Sequence, residues 1–198
     1  KDWNECNKNG NVFLSYNFLT LLEDRNSIGG NTGWQPVYFC LKINNKVNAI
    51  VPSFIKYHSQ GEFVFDHSWA QAYQSLGLNY YPKLLIASPF SPVTGKRILV
   101  IQNINALIKK KLFDFIKDFC KEKKISSIHI NFFEEHELDF LKNEGFLIRY
   151  GEQFHFTNNN YNTFEDFLNK LSYKIRKSIN KERQSIKHEG IDIEIIKN

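Results

Sequence analysis

Apolar residues recur along this chain at spacings of three to four in some stretches and two in others, and each change of period marks an element. Phe18, Leu21 and Leu22 share one face of a helix predicted over 13–23, with Asn11 and Ser15 as candidate caps. A glycine- and asparagine-rich loop, 24–35, precedes a hairpin: VYFCLKI and KVNAIVP flank Asn44 and Asn45, residues that accept positive φ at a tight turn. After Pro52 the pattern predicts a strand over 62–65, a helix over 68–76, a strand over 83–87 and a proline-limited loop over 88–95. A short strand over 97–101 leads to a helix capped by Asn103 or Asn105 and running to about 123, with Leu107, Leu112, Phe115, Ile116 and Phe119 at helical spacing. A strand over 125–132, a helix over 134–143 closed by Gly145, and a strand over 146–156 follow. Strand, helix, strand, helix, strand predicts an α/β unit with a partly parallel sheet.

Thr163 and Asp166 then open a helix predicted over 164–188, with Phe167, Leu168, Leu171, Ile175 and Ile179 along one face. Residues 191–196 alternate as a strand whose apolar face calls for a partner outside the chain. The sequence neither starts with nor contains Met, so a fragment cut at both ends, or a sequence from which methionines have been dropped, is expected.

Composition changes this picture in one place. With 198 residues, 42% hydrophobic and 24% charged, the chain has the make-up of an ordinary globular domain rather than a disordered tail. Its net charge of +5 is local: 170–188 holds seven Lys and Arg against Glu182, and the rest sums to −1. Lys174, Arg176, Lys177, Lys181 and Arg183 on that helix suit an anionic partner, or form a solvated face. Cys6, Cys40 and Cys120 are too few and too far apart for a disulfide framework or a zinc site, and EEHELDF lacks the metal-binding HExxH spacing. No apolar run reaches about 18 residues and no leader opens the chain, so a soluble, cytoplasmic protein without a transmembrane segment is expected.

Nine aromatics lie between Phe54 and Phe90, a density beyond what a simple core requires. EFVFDHSWAQAY, GLNYYPKLLIASPFSPVTGKRIL, GEQFHF and FLNKLSYKIRKSINKERQSIKHEG occur here in the order and wording that resembles the FemAB-like family of peptidoglycan biosynthesis or recognition, within the GNAT acyltransferase superfamily. The resemblance spans about 52–190 and implies a GNAT-like α/β half. On that reading 1–160 forms the first domain with 53–96 inserted, 161–190 is a basic connecting helix, and 191–198 begins a second half. It further implies acyl or aminoacyl transfer, from acyl-CoA or aminoacyl-tRNA, to an amine of a cell-wall precursor or amino sugar. No permanently bound cofactor or metal is implied. The junction ILVIQNINA has no glycine, which argues against a standard acetyl-CoA pyrophosphate loop here.

Acyl transfer to an amine needs a base for the ammonium proton, an oxyanion donor and a clamp for the anionic carrier. Glu62 and Asp66 share a face if 62–65 is a strand, and either serves as base; Asp66 alternatively caps the next helix, in competition with Ser68. Tyr80, Tyr81 and Lys83 offer hydroxyls and a charge, Tyr81 as a catalytic donor, or else form a buried aromatic cluster. Trp69 and Tyr73 on the 68–76 helix, Arg97 after a rigid turn, and Gln153 with His155 on one strand face are candidate substrate contacts. His129 reads as a core histidine and Cys120 as an inert thiol. A binding module without a donor site accounts for the same residues, and nucleic-acid binding through the basic helix alone is a third reading.

Overall fold

The computed structural model describes residues 2–8, 10–101 and 104–194. The chain divides into two compact units, Lys1–Ile148 and Arg149–Asn198. In the first, α1 (Asp2–Cys6) and α2 (Tyr16–Asp24) precede the hairpin β1 (Trp34–Ile43) and β2 (Lys46–Lys56), then α3 (His67–Ser75), β3 (Lys83–Ile86), β4 (Leu99–Val100), α4 (Ala106–Glu122), β5 (Ile128–Ile130) and α5 (Leu138–Asn143). The second contains α6 (Phe164–Lys170) and α7 (Tyr173–His188).

The expected mixed sheet flanked by helices is present. Its order is β1-β2-β3-β5, with β4 also on β2; every pairing is antiparallel except β3 with β5, which is parallel. Asn44 and Asn45 turn the hairpin at φ 51° and 61°. Beyond the predicted stop at Pro52, β2 runs on to Lys56. Pro52 pairs with Tyr38 of β1, and on the other side of β2 Val51 and Pro52 fall between the stretch paired with β4 and the stretch paired with β3.

The period of two sorts the sheet into two buried faces. Phe39, Ala49, Val51, Leu84 and Ile86 pack with Leu112, Phe113, Ile116 and Cys120 of α4 and Leu141 of α5. On the other side Trp34, Phe54 and Leu85 pack with Leu19 of α2 and with Ile28. Asn105 caps α4, its Oδ1 accepting from Ile108 N at 2.9 Å; the alternative cap, Asn103, lies outside the described residues.

Several predicted elements differ. The 13–23 helix is a 3-10 turn, Val12–Leu14, followed by α2; Asn11 caps the first and Ser15 the second, so both predicted caps act. The 62–65 strand is absent, because Gly61 at φ 78° and Phe63 at φ 58° curl that segment instead of extending it. The 146–156 strand is also absent: Phe146 packs in the first core, while Phe154 is 99% exposed with no strand beside it. The strand predicted over 97–101 shrinks to β4 and that over 125–132 to β5. The helix over 134–143 begins as a 3-10 turn, Glu135–Glu137, before α5, and Gly145 follows at φ 82°. The single helix over 164–188 breaks at Leu171, which is extended at ψ 154°, so α7 restarts after Ser172; the Thr163–Asp166 capping box forms as predicted. Residues 191–194 are irregular, and the remainder of that predicted strand lies outside the described residues.

Candidate functional site

The second sheet face ends in charge. Lys56 lies two residues beyond Phe54 and Lys83 two before Leu85, so the period of two that buries those apolar residues carries both lysines inward. They are direct cross-strand partners in the β2–β3 ladder, and both are 0% exposed. Two ammonium groups facing each other in a sheet repel, and burial without a counter-charge is prohibitive, so the arrangement requires acids between them.

The 57–66 segment supplies them. Glu62 and Asp66 are brought together as expected, but by a turn rather than a strand. Lys83 Nζ donates to Glu62 Oε2 at 2.9 Å, to Asp66 Oδ2 at 2.5 Å and to Ser59 Oγ at 2.9 Å. Lys56 Nζ lies 3.9 Å from Glu62 Oε1, donates to the Gln60 carbonyl at 3.3 Å and sits 3.7 Å above the Trp34 ring. Glycine is required at 61: a Cβ there would stand 2.8 Å from the Phe90 ring and 3.2 Å from Trp34, and φ is 78°. Phe90 and Trp34 lie 4.8 Å apart, so this aromatic floor seats the turn that delivers Glu62.

Asp66 occupies the N-cap position of α3 but makes no side-chain cap bond. Its carboxylate instead accepts from Lys83 and, at 2.7 Å, from Tyr80 Oη. Burial alone would raise its pKa, yet the hydrogen bonds from Lys83, Ser59 and Tyr80 outweigh burial and hold it at about 2. Glu62 goes the other way, pushed up chiefly by burial against the lowering pull of Lys83. Burial brings Lys56 down to about 7, and burial with the Asp66 hydrogen bond raises Tyr80. Glu62 Oε1 and Asp66 Oδ1 are buried and accept no hydrogen bond.

Because its folded pKa lies below the ordinary value of 3.8, Asp66 contributes stability that is present above about pH 4 and lost as pH falls toward 2. The loss expected is about 2 kcal/mol. Urea unfolding at pH 5 and pH 3 should show about half of it, about 1 kcal/mol, in the wild type and not in Asp66→Asn; equal acid sensitivity of the two proteins would contradict it.

The other candidates distribute around this centre. Tyr81 Oη and Ser59 Oγ are 2.6 Å apart, joining a half-buried phenol to the buried lysine. Tyr73 meets the Tyr80 ring edge-on at 5.2 Å, and Tyr80 in turn meets His129, whose Nε2 is 3.0 Å from Ser127 Oγ. Trp69 is exposed on α3, near in sequence to exposed Tyr57, Phe63 and Phe65. Burial lifts the Cys120 thiol to about 11, in keeping with an inert cysteine. Gln153 and His155 do come together, Oε1 to Nε2 at 3.1 Å, in an irregular part of the second unit. In α7, Lys174, Lys177, Lys181 and Arg183 are exposed, Arg176 donates to Asn169 Oδ1 at 3.2 Å, and Arg183 lies 4.4 Å over Phe164.

Arg97 is turned inward rather than toward a ligand. It is buried, with Nε donating to the Asn131 carbonyl at 2.7 Å and Nη2 to that of Val93 at 2.6 Å. Glu137, which sequence reasoning passed over, is its buried counterpart: its carboxylate accepts from the backbone N–H groups of Arg97 and Ile98, each at 3.2 Å. Arg97→Lys should cost about 2 kcal/mol in urea unfolding, because one ammonium cannot serve two carbonyls held in a guanidinium fork. A cost below about 0.5 kcal/mol, the usual size for a surface change, would remove this structural role.

Lys56, Ser59, Trp34 and Glu137 were not singled out from the sequence. Lys56 alone had a local signal, a lysine continuing the apolar parity of Phe54. Among the described residues no cluster of His, Cys, Asp and Glu is arranged to hold a metal ion, and no helix is long and apolar enough to cross a membrane.

Compared with known families, residues 1–198 match the FemAB-like model, described as peptidoglycan biosynthesis/recognition. Comparisons with curated proteins and with solved structures give no match. The match covers the whole chain, including the strand ends and the turn that build the buried lysine–carboxylate cluster, and the chain belongs to the FemAB-like family of peptidoglycan biosynthesis/recognition.

Proposed function

We propose that this chain provides the acceptor side of an acyl or aminoacyl transferase acting on an amine of a peptidoglycan precursor or amino sugar. The supporting observation is one hydrogen-bonded chain: Tyr81 Oη to Ser59 Oγ at 2.6 Å, Ser59 to Lys83 Nζ at 2.9 Å, and Lys83 to Glu62 Oε2 at 2.9 Å. It links all three candidate catalytic groups, since Asp66 shares Lys83.

The chemistry runs inward. In one concerted relay Lys83 gives Glu62 Oε2 the proton it already shares with it; the neutral amine so formed takes the Ser59 proton, Ser59 takes the phenol proton, and the phenol oxygen takes a proton from an acceptor ammonium at Tyr81. Glu62 ends neutral, which its burial favours, Lys83 stays charged, and the freed amine attacks the acyl carbonyl as the carrier departs. Asp66, held near 2, remains the fixed counter-charge of Lys83. The anionic carrier, aminoacyl-tRNA or acyl-CoA, is assigned to Lys174, Arg176, Lys177, Lys181 and Arg183 of α7 on charge alone. Both carriers are made in the cytoplasm, which is where this reading sets the reaction. A GNAT-type second half following this chain would complete the donor site.

One observation favours the recognition reading instead. Glu62 and Asp66 are buried, and two clefts of the first unit, one beside Gly95 and one beside Gly29, are lined by other residues. In that case the cluster only braces the turn that presents Phe63, Phe65 and Trp69 to a ligand. The two readings separate when the full-length protein is given acyl-CoA or aminoacyl-tRNA with candidate amines. Amine-dependent thiol release or tRNA deacylation supports the transferase. Saturable binding of the amine compound without turnover of either carrier supports recognition.

A further inference from the structure

Beside the lysine cluster, the same face of the sheet continues onto β5 with a polar pair that neither the core nor the proton relay uses. The period of two sends Ile128 and Ile130 into the first core and turns Ser127 and His129 the other way, toward the face that holds Leu85 and Lys83. Backbone bonds fix this stretch at both ends: Leu84 N donates to the Ser127 carbonyl at 2.9 Å, and Asn131 N to that of Ile86 at 3.1 Å. Among the described residues no strand pairs with the outer edge of β5. Ser127 and His129, the latter expected in the core, are half-buried there.

Ser127 Oγ and His129 Nε2 lie 3.0 Å apart. The neighbouring hydroxyl, Ser126 Oγ, stands 3.3 Å from Ser127 Oγ, but it donates its own proton to the Tyr80 carbonyl. It can therefore only accept, and His129 Nε2 is the nearer of the two acceptors for the Ser127 proton. The imidazole is held in turn: Tyr80 meets it edge-on at 5.9 Å with the rings at 85°, and the Tyr80 hydroxyl is anchored on Asp66 at 2.7 Å. A hydroxyl within hydrogen-bond reach of an imidazole that a third group orients is the arrangement that activates a serine nucleophile. Its place on a paired strand rather than a loop keeps that geometry fixed.

We propose that Ser127 is a nucleophile, activated by His129, that takes acyl groups from carboxylic esters. Ser127 Oγ adds to the ester carbonyl carbon as its proton passes to His129 Nε2. The bond to the leaving alcohol then breaks, the departing oxygen takes the proton from Nε2, and the acyl group stays on Oγ as a new ester. Water attacks that ester with the same base, releases the acid and restores Ser127, so the sum is ester plus water to acid plus alcohol. No amine, and no proton at Glu62, enters this chemistry, which stands apart from the transferase reading.

Two reagents on the 198-residue chain test it. A fluorophosphonate, whose P–F bond gives way to a P–O bond with loss of fluoride, should leave its adduct on Ser127, located by peptide mass spectrometry. Cleavage of p-nitrophenyl acetate should be saturable and should fall at least about tenfold in Ser127→Ala. His129→Gln keeps a polar side chain beside Ser127 but offers no base, so ester cleavage should fall by a similar factor while the urea midpoint stays near that of the wild type. Free imidazole should recover part of the rate in His129→Ala, which a purely structural histidine would not allow. Glu62→Gln should cleave the ester as wild type does, so a failure of the transferase reading leaves this result intact. The proposal is overturned if the fluorophosphonate leaves Ser127 unmodified, or if either Ser127→Ala or His129→Gln cleaves the ester at the wild-type rate.

Discussion

Lys83→Met should destabilise the chain by about 3–5 kcal/mol, the cost of removing one partner from a buried ion-pair cluster. Lys83 is 0% exposed and donates to both carboxylates within 3 Å. Without it Glu62 keeps the Lys56 contact at 3.9 Å, and Asp66 keeps the Tyr80 and Ser59 hydroxyls. Methionine fills a similar volume, so the loss reports charge rather than a cavity. Two controls separate this account from simple packing. Adding Lys56→Met, Glu62→Gln and Asp66→Asn to Lys83→Met should restore most of the stability, because a buried set neutralised together no longer contains an uncompensated charge. The cost of the single change should also shrink at low pH, where carboxylates that have lost their cation protonate. Urea midpoints at pH 7 and pH 4 provide both readings, and a cost below about 1 kcal/mol at pH 7 would show that Lys83 does not organise the cluster.

The second large effect concerns turnover. If Glu62 receives the acceptor's proton, Glu62→Gln should lower amine-dependent transfer by about 10²–10⁴-fold, the usual contribution of a positioned base. Glutamine has the same shape and leaves the Lys83–Asp66 pair in place, so an unchanged urea midpoint would assign the loss to chemistry. The pH profile adds a signature that a bracing role lacks. Glu62 accepts a proton only when ionised, so the wild-type rate should rise with pH; since burial raises its pKa, that rise should fall above the ordinary carboxylate value of 4.5. In Glu62→Gln the limb should vanish. Ser59→Ala and Tyr81→Phe interrupt the same chain and should slow transfer in proportion. Wild-type rates in all three variants would leave the cluster as scaffold and favour recognition.

Local sequence determined the parts of this protein whose bonds are local. Asn44 and Asn45 make the hairpin turn with their own backbones. Asn105 caps α4 three residues ahead, and Thr163 with Asp166 caps α6 over the same distance. The apolar spacing of Leu112 and Ile116 announced the buried face of α4. Such signals need only i to i+4 neighbours, so the residues themselves carry them.

Expectations failed where a strand needed a neighbour. Residues 62–65 and 146–156 have the composition of strands, but a strand exists only when another offers its ladder, and none is paired with them. The candidate site divides the same way. Glu62, Asp66, Tyr81 and Lys83 stood out as polar residues in an aromatic stretch, whereas Lys56 and Ser59, 27 and 24 residues before Lys83, did not. Arg97 looked like an outward clamp and proved to be an inward fork on two carbonyls. Only the β2–β3 register sets Lys56 opposite Lys83, and only the turn over 57–66 brings two carboxylates between them. The sequence by itself therefore determined the helices, caps, hairpin and the family resemblance, and the tertiary structure alone decided the charge cluster. Caps and amphipathic faces are set by neighbours a few residues away, while the state of a buried charge depends on counter-charges that only the folded chain brings within 3 Å.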